Sequence, residues 1–248
     1  MKPNPVLREG IQIYLWEGQG IPAYGHFLLI LAPIEFLTLF LPSLDPQVWT
    51  GAANLFKVSS VVALLLMVYL GLRIANREFV PWRFLPLRQW VREHGVRISQ
   101  VALAQVGLLC LHVGLFILVS APLLIWAGAI SRAGLVAVFA AFGLFFFYSL
   151  TYGIWGLAAA VFWERRLESR QVFVRCFFFA LLILSALLYL PLNPVAFLLY
   201  YLGRKEVAPL VLGGWQWPVP VLHFLFHFSL FGLGLLAFRW ALRRETTP

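Results

Sequence analysis

Charge is what this sequence has least of: Asp, Glu, Lys and Arg together make up 12% of its 248 residues. A soluble domain carries about 25%, so a water-facing globule built from this chain could not cover itself with polar surface. Cysteine is nearly absent. Cys110 and Cys176 both sit in or beside apolar stretches, which fits small buried hydrophobes better than a disulfide, a zinc site or a redox pair. No polar segment is long enough to fold alone as a catalytic domain. The phosphate-cradling G-x-x-x-x-G-K-[ST] loop is missing, and so are G-x-S-x-G and H-E-x-x-H, which excludes those three chemistries from this chain. The first residues, with Arg8, Glu9, Gln12, Glu17 and Gln19, contain no apolar run ahead of a small-residue cleavage site. No cleavable signal peptide is therefore expected, and the first span is expected to direct insertion.

What is abundant is apolar: 62% of residues are hydrophobic and 17% aromatic. A spanning helix needs about 20 mostly apolar residues, and six stretches qualify, near Gly25–Leu41, Leu55–Ile74, Ile98–Ala127, Ala133–Trp163, Val172–Leu192 and Trp217–Trp240. The expected fold is an all-α integral membrane protein, one transmembrane domain over residues 1–248. The net charge of +9 does not point to nucleic acid, because the basic residues are scattered between apolar stretches rather than gathered on a polar domain. They sort by side. Lys2, Arg8, Arg73, Arg77, Arg83, Arg88, Arg92, Arg97, Arg165, Arg166, Arg170, Arg175, Arg239, Arg243 and Arg244 fall on one side. Lys57, Arg132, Arg204 and Lys205 fall on the other. The positive-inside rule then predicts a cytoplasmic (inner) membrane protein with both termini in the cytoplasm.

The segments between spans are amphipathic. Pro5–Trp16 reads as an interfacial helix with Leu7, Ile11, Tyr14 and Leu15 on one face. In the cytoplasmic loop 75–97, Phe84, Leu87 and Val91 line one side of a short helical stretch and Arg88 and Arg92 another. There Pro86 suits a first turn and Gly95 a stop. The junction Gly128–Gly134 reads as a tight helical hairpin, and Pro122 as a kink whose freed carbonyl Ser120 or a neighbouring helix satisfies. Pro194–Gly203 is apolar but too short to span, and is expected to dip back into the outer leaflet. Trp215 and Trp217 flank the start of the last span, where amphipathic rings settle.

Few side chains could carry chemistry. Glu35 lies in the first span, where an ionised carboxylate costs about 2.5–3.5 kcal/mol. It reads either as a substrate-path group or as a neutral, hydrogen-bonded carboxyl joining two helices, and His112 is the other ionisable group at hand. His223 and His227 stand i, i+4 on one face of the last span. Packing is their simpler reading, and haem or metal ligation with His112, less readily His26, is the sharper one.

The order of these pieces resembles the permease subunit of ABC-2-type exporters. The likeness rests on Pro5–Trp16, Pro81–His94, Ser120-Ala121-Pro122 with Gly128–Gly134, and Leu190-Pro191-Leu192-Asn193-Pro194, and covers nearly the whole chain. The loop after the second span opens Asn76-Arg77-Glu78-Phe79, without the acidic opening of many members. The resemblance implies a dimer with a second permease chain, identical or not, and a separate ATP-binding subunit that holds ATP and Mg. No cofactor is then expected in this chain. It also implies that Phe84–His94 is the coupling helix, with Leu87, Trp90 and Val91 as apolar anchors and Arg88 and Arg92 on acidic rims. The alternative is a membrane redox subunit holding haem or quinone through His112, His223 and His227; a membrane assembly or scaffold protein is a third class.

Overall fold

The computed structural model describes residues 4–18, 20–40, 51–77, 95–163, 166–203, 209–212 and 214–243. It is an all-α bundle with six helices long and apolar enough to cross a membrane, the signature of a multi-pass membrane protein. These are α2 (Ile21–Phe40), α3 (Gly51–Arg77), α4 (Ile98–Ile130), α5 (Leu135–Phe162), α6 (Leu167–Leu188) and α8 (Val219–Arg243), with the shorter α1 (Pro5–Ile11) before them and α7 (Pro194–Leu202) between the last two. One feature departs from the all-helical expectation. Leu210–Leu212 (β1) and Trp215–Trp217 (β2) pair antiparallel, Leu212 opposite Trp215, and Gly214 in the turn takes φ +82°, a conformation only glycine adopts freely.

The first element begins where Asn4 accepts the Val6 N–H and Pro5 supplies the first helical position, both standard helix starters. After Ile11 the helix widens into one turn of π-helix over Gln12–Trp16. Of the expected face of Leu7, Ile11, Tyr14 and Leu15, Tyr14 is buried and Leu7 and Ile11 pack half-buried against the core, but the centre of the contact lies to one side of it. The buried residues are Val6, Gly10 and Tyr14, because α1 lies against α4. Asn4 Nδ2 donates to the Gln100 carbonyl at 2.8 Å, Gly10 meets Leu108, and Tyr14 reaches His112. The sequence thus continues along α4 into α2, whose Phe27 packs on Phe116.

With 33 residues, α4 extends about 50 Å, well beyond the roughly 30 Å of a hydrocarbon core. It runs through Pro122 without interruption. The expected rescue of a freed carbonyl by Ser120 does not occur: its hydroxyl donates to the Ile117 carbonyl, one turn back on its own helix. The hairpin into α5 is tight, as expected. Ala133 N–H donates to Gly128 O and Arg132 N–H to Ala129 O, the paired bonds of a Schellman cap. Arg132, at φ +55°, occupies the left-handed position that glycine usually fills.

The core is organised around α5, whose largest interfaces are with α3 and α8. Close approach uses small residues, as in membrane bundles generally; a Cβ on Gly153 would lie 2.8 Å from Leu109. The fifth long helix stops at Leu188, four residues short of the expected Leu192. Tyr189 turns extended, with φ −165°, and Pro191 has no N–H to continue the ladder. Asn193 then restarts helix as α7, accepting the Val195 and Ala196 N–H groups while its own amide donates to Leu182 O. Pro194 and Val195, at the start of α7, lie beside Leu64, Leu65 and Val68 on the middle turns of α3. The crevice there has room for about 10 Å³, at most one water. Leu202, at the far end of α7, lines a cavity together with Phe56 and Lys57 at the start of α3.

Candidate functional site

The densest polar feature inside the bundle joins α5 to α8. Tyr148, Tyr152 and Trp155 lie on one stripe of α5, at spacings of four and three, and each donates to a group on α8. The Tyr148 hydroxyl bonds His223 Nε2. The Tyr152 hydroxyl bonds His227 Nε2 at 2.9 Å, and Trp155 Nε1 donates to the Leu230 carbonyl at 3.1 Å. Because the two helices run in the same direction, every rung spans the same interval of 75 residues.

The remaining ring nitrogens are also committed. His227 Nδ1 donates to the His223 carbonyl at 2.9 Å, and His223 Nδ1 to the Pro191 carbonyl at 2.7 Å. A carbonyl only accepts, so in both rings Nδ1 carries the proton and Nε2 accepts from tyrosine. Both histidines are fully buried. Phe197 of α7 stacks on His223 with centroids 3.8 Å apart, so this ring also holds α7 and the turn before it. All four nitrogens are spent on protein partners, and a metal or haem iron would have to displace a tyrosine to reach one. Among the described residues no group of three or more His, Cys, Asp or Glu is gathered as a metal site requires.

His112 belongs to a different interface. Its Nδ1 meets the Tyr24 hydroxyl at 2.5 Å, and Tyr14 packs edge-on with centroids 5.3 Å apart. It thereby pins the π turn and the start of α2 to α4. His26 is exposed and bonds back to the Pro22 carbonyl. The structure therefore does not bring His112 and His26 together with His223 and His227 as a shared ligand set.

Glu35 is buried on α2 against α3. Its polar neighbour is the Ser59 hydroxyl, yet among the described residues neither carboxyl oxygen closes a hydrogen bond of ordinary length. The hydroxyls of Ser59 and Ser60 are likewise buried without one. Glu35 and His112 are thus both intramembrane polar groups, one without a bonded partner and the other built into a helix junction. The coupling stretch, with Phe84, Leu87, Arg88, Trp90, Val91 and Arg92, lies outside the described residues. Tyr148 and Tyr152 have no mark in the sequence beyond their spacing, which matches that of His223 and His227.

The chain matches no family model, no curated protein and no solved structure.

Proposed function

We propose that this chain is the membrane-spanning permease of an ATP-driven exporter of the ABC-2 type, acting on a hydrophobic, lipid-linked or otherwise large substrate. The observation that carries the reading is the reversal between the fifth and sixth long helices. There α6 ends at Leu188, Asn193 caps a new helix beside the middle of α3, and α7 climbs back toward the start of that helix. In this reading α7 is the re-entrant piece, both chain ends face the cytoplasm, and residues 78–94 hold the coupling helix.

Two further features support it. A solute or ion carrier gathers charges or broken helices around a central binding site, whereas Glu35 is the only carboxylate buried in the described part of the bundle. The outward faces of α2 and α6 are apolar and exposed, with Leu29, Phe36 and Phe40 on one and Phe179, Ile183 and Leu187 on the other. They offer a second permease chain a surface, with lipid elsewhere. The mechanical logic is that closure of the ATPase pushes the loop between α3 and α4. Because α5 is clamped to both α3 and α8, and α8 to the Pro191 turn, the push reaches α7. The haem or quinone reading has less behind it, since both ring nitrogens of His223 and of His227 are already bonded to tyrosines and carbonyls.

The test is purification in nanodiscs together with the products of neighbouring genes. An ATP-binding protein should co-elute at equal stoichiometry. Trp90→Glu with Val91→Glu should abolish that association, or the coupling of hydrolysis to substrate, while the spans still insert. A chain that elutes alone and shows a Soret band would overturn the proposal in favour of the redox alternative. Unchanged substrate-stimulated hydrolysis in the double variant would remove the coupling role from residues 84–94.

A further inference from the structure

At the end of the bundle opposite Asn4 and Arg243, a cavity of about 320 Å³ opens between the start of α3, the α4–α5 turn and the end of α7. That is far more than the roughly 10–15 Å³ that holds one water. Among the described residues its lining holds two cations, Lys57 and Arg132, and no carboxylate. The convergence is unexpected on a side of the membrane that carries only four of the chain's basic residues.

The floor is built rather than loosely folded. The Ser131 hydroxyl accepts the Phe56 N–H and donates to the Ala52 carbonyl, both at 2.9 Å, so the turn is stitched to α3. The same turn is closed by the cap that places Arg132 in its left-handed conformation. Gly134 starts α5 with no side-chain cap, so the first-turn N–H groups of α5 add their positive field to the two cations. Phe56, Ala133, Ala137 and Leu202 make the rest of the wall apolar. Next to Gly134, Leu135 and Val136 are exposed apolar residues on α5, where acyl chains would lie.

We propose that this cavity binds the phosphate group of an anionic membrane lipid in the leaflet facing away from the chain ends, with Lys57 and Arg132 on the phosphate oxygens. Inorganic phosphate shares that chemistry, and the apolar wall favours the lipid. The proposal does not depend on the exporter reading.

The experiment uses the full chain in nanodiscs of phosphatidylcholine with phosphatidylglycerol, moved into mild detergent and weighed by native mass spectrometry. The wild-type chain should keep phosphatidylglycerol in preference to phosphatidylcholine. Lys57→Gln with Arg132→Asn, the asparagine chosen because it tolerates the left-handed backbone, should lower that retention on the order of tenfold. Leu202→Trp leaves both cations in place and fills the cavity from its apolar side, so it should lower retention as well; it supplies the readout if the double variant fails to fold. Equal retention in wild type and both variants overturns the proposal. If phosphatidylglycerol is not preferred but inorganic phosphate shields Lys57 from an amine-reactive reagent, the anion site stands with a soluble ligand. Absence of both effects overturns it.

Discussion

Replacing Tyr152 by Phe removes one hydroxyl from the α5–α8 ladder and leaves the ring packing intact. His227 Nε2, fully buried, then has no donor. A buried acceptor left unpaired costs about 1–3 kcal/mol, while side-chain hydrogen bonds inside membrane proteins average about 0.6 kcal/mol and reach about 1.7. The second range governs here, because a chain unfolded in the bilayer finds other partners. Tyr152→Phe should therefore cost about 0.6–1.7 kcal/mol, read from reversible unfolding in mixed micelles by tryptophan fluorescence. His227→Leu in the Tyr152→Phe background should add less than it does alone, giving a coupling of about 0.6–1.7 kcal/mol. His223→Leu should cost more than His227→Leu, because His223 also holds the Pro191 carbonyl and stacks on Phe197. A vanishing coupling between Tyr152 and His227 would refute the idea that these bonds, rather than ring packing alone, clamp the two helices.

Two other perturbations test the remaining polar positions. Asn193→Ala loses the cap bonds to Val195 and Ala196 and the bond to Leu182 O; a cost of about 1–2 kcal/mol should appear as faster amide exchange across 189–202 with little change in α5. Glu35→Gln keeps the side-chain shape and breaks no hydrogen bond among the described residues. Its unfolding midpoint should stay within about 0.5 kcal/mol of wild type, and loss of assembly in that variant would show that a second chain supplies a partner for the carboxyl.

The six long helices were legible because a bilayer imposes length and composition together, and the observed ends fall within a few residues of the apolar stretches. The misplaced ends have local causes. The expected fifth span ran on to Leu192 because apolarity continues through Tyr189-Leu190-Pro191-Leu192, but backbone chemistry, not hydropathy, stops a helix there. Asn193 contains the correction: an Asn before Pro is a helix start, and a start at 193 requires a stop before it. On α1 the contact centre is shifted from the expected face for a related reason: Tyr14 lies in both, but Val6 and Gly10 take the places nearest α4. A helix on a membrane surface shows its largest apolar residues to lipid, whereas one packed on another helix turns its small residue inward, and Gly10 faces Leu108.

The site was harder to read than the fold, and the reason is general. In a lipid solvent, apolar pattern separates spanning from non-spanning segments but says little about which faces meet, since lipid is as apolar as a helix interior. The information on pairing lies in the few polar tips. His223 and His227 were conspicuous because imidazoles within a span are rare, and their spacing invited a ligand hypothesis. Tyr148, Tyr152 and Trp155 were lost among the many aromatic residues of the chain. Read together, the two spacings specify the docking: donors at 148, 152 and 155 meet acceptors at 223, 227 and 230 only if α5 and α8 run in the same direction and in one register. The single crossing between them, by α6, already requires that direction, α7 being too short to cross. The pairing was thus written in polar spacing together with span parity, and the ligand reading of the histidines arose from considering one helix without its partner.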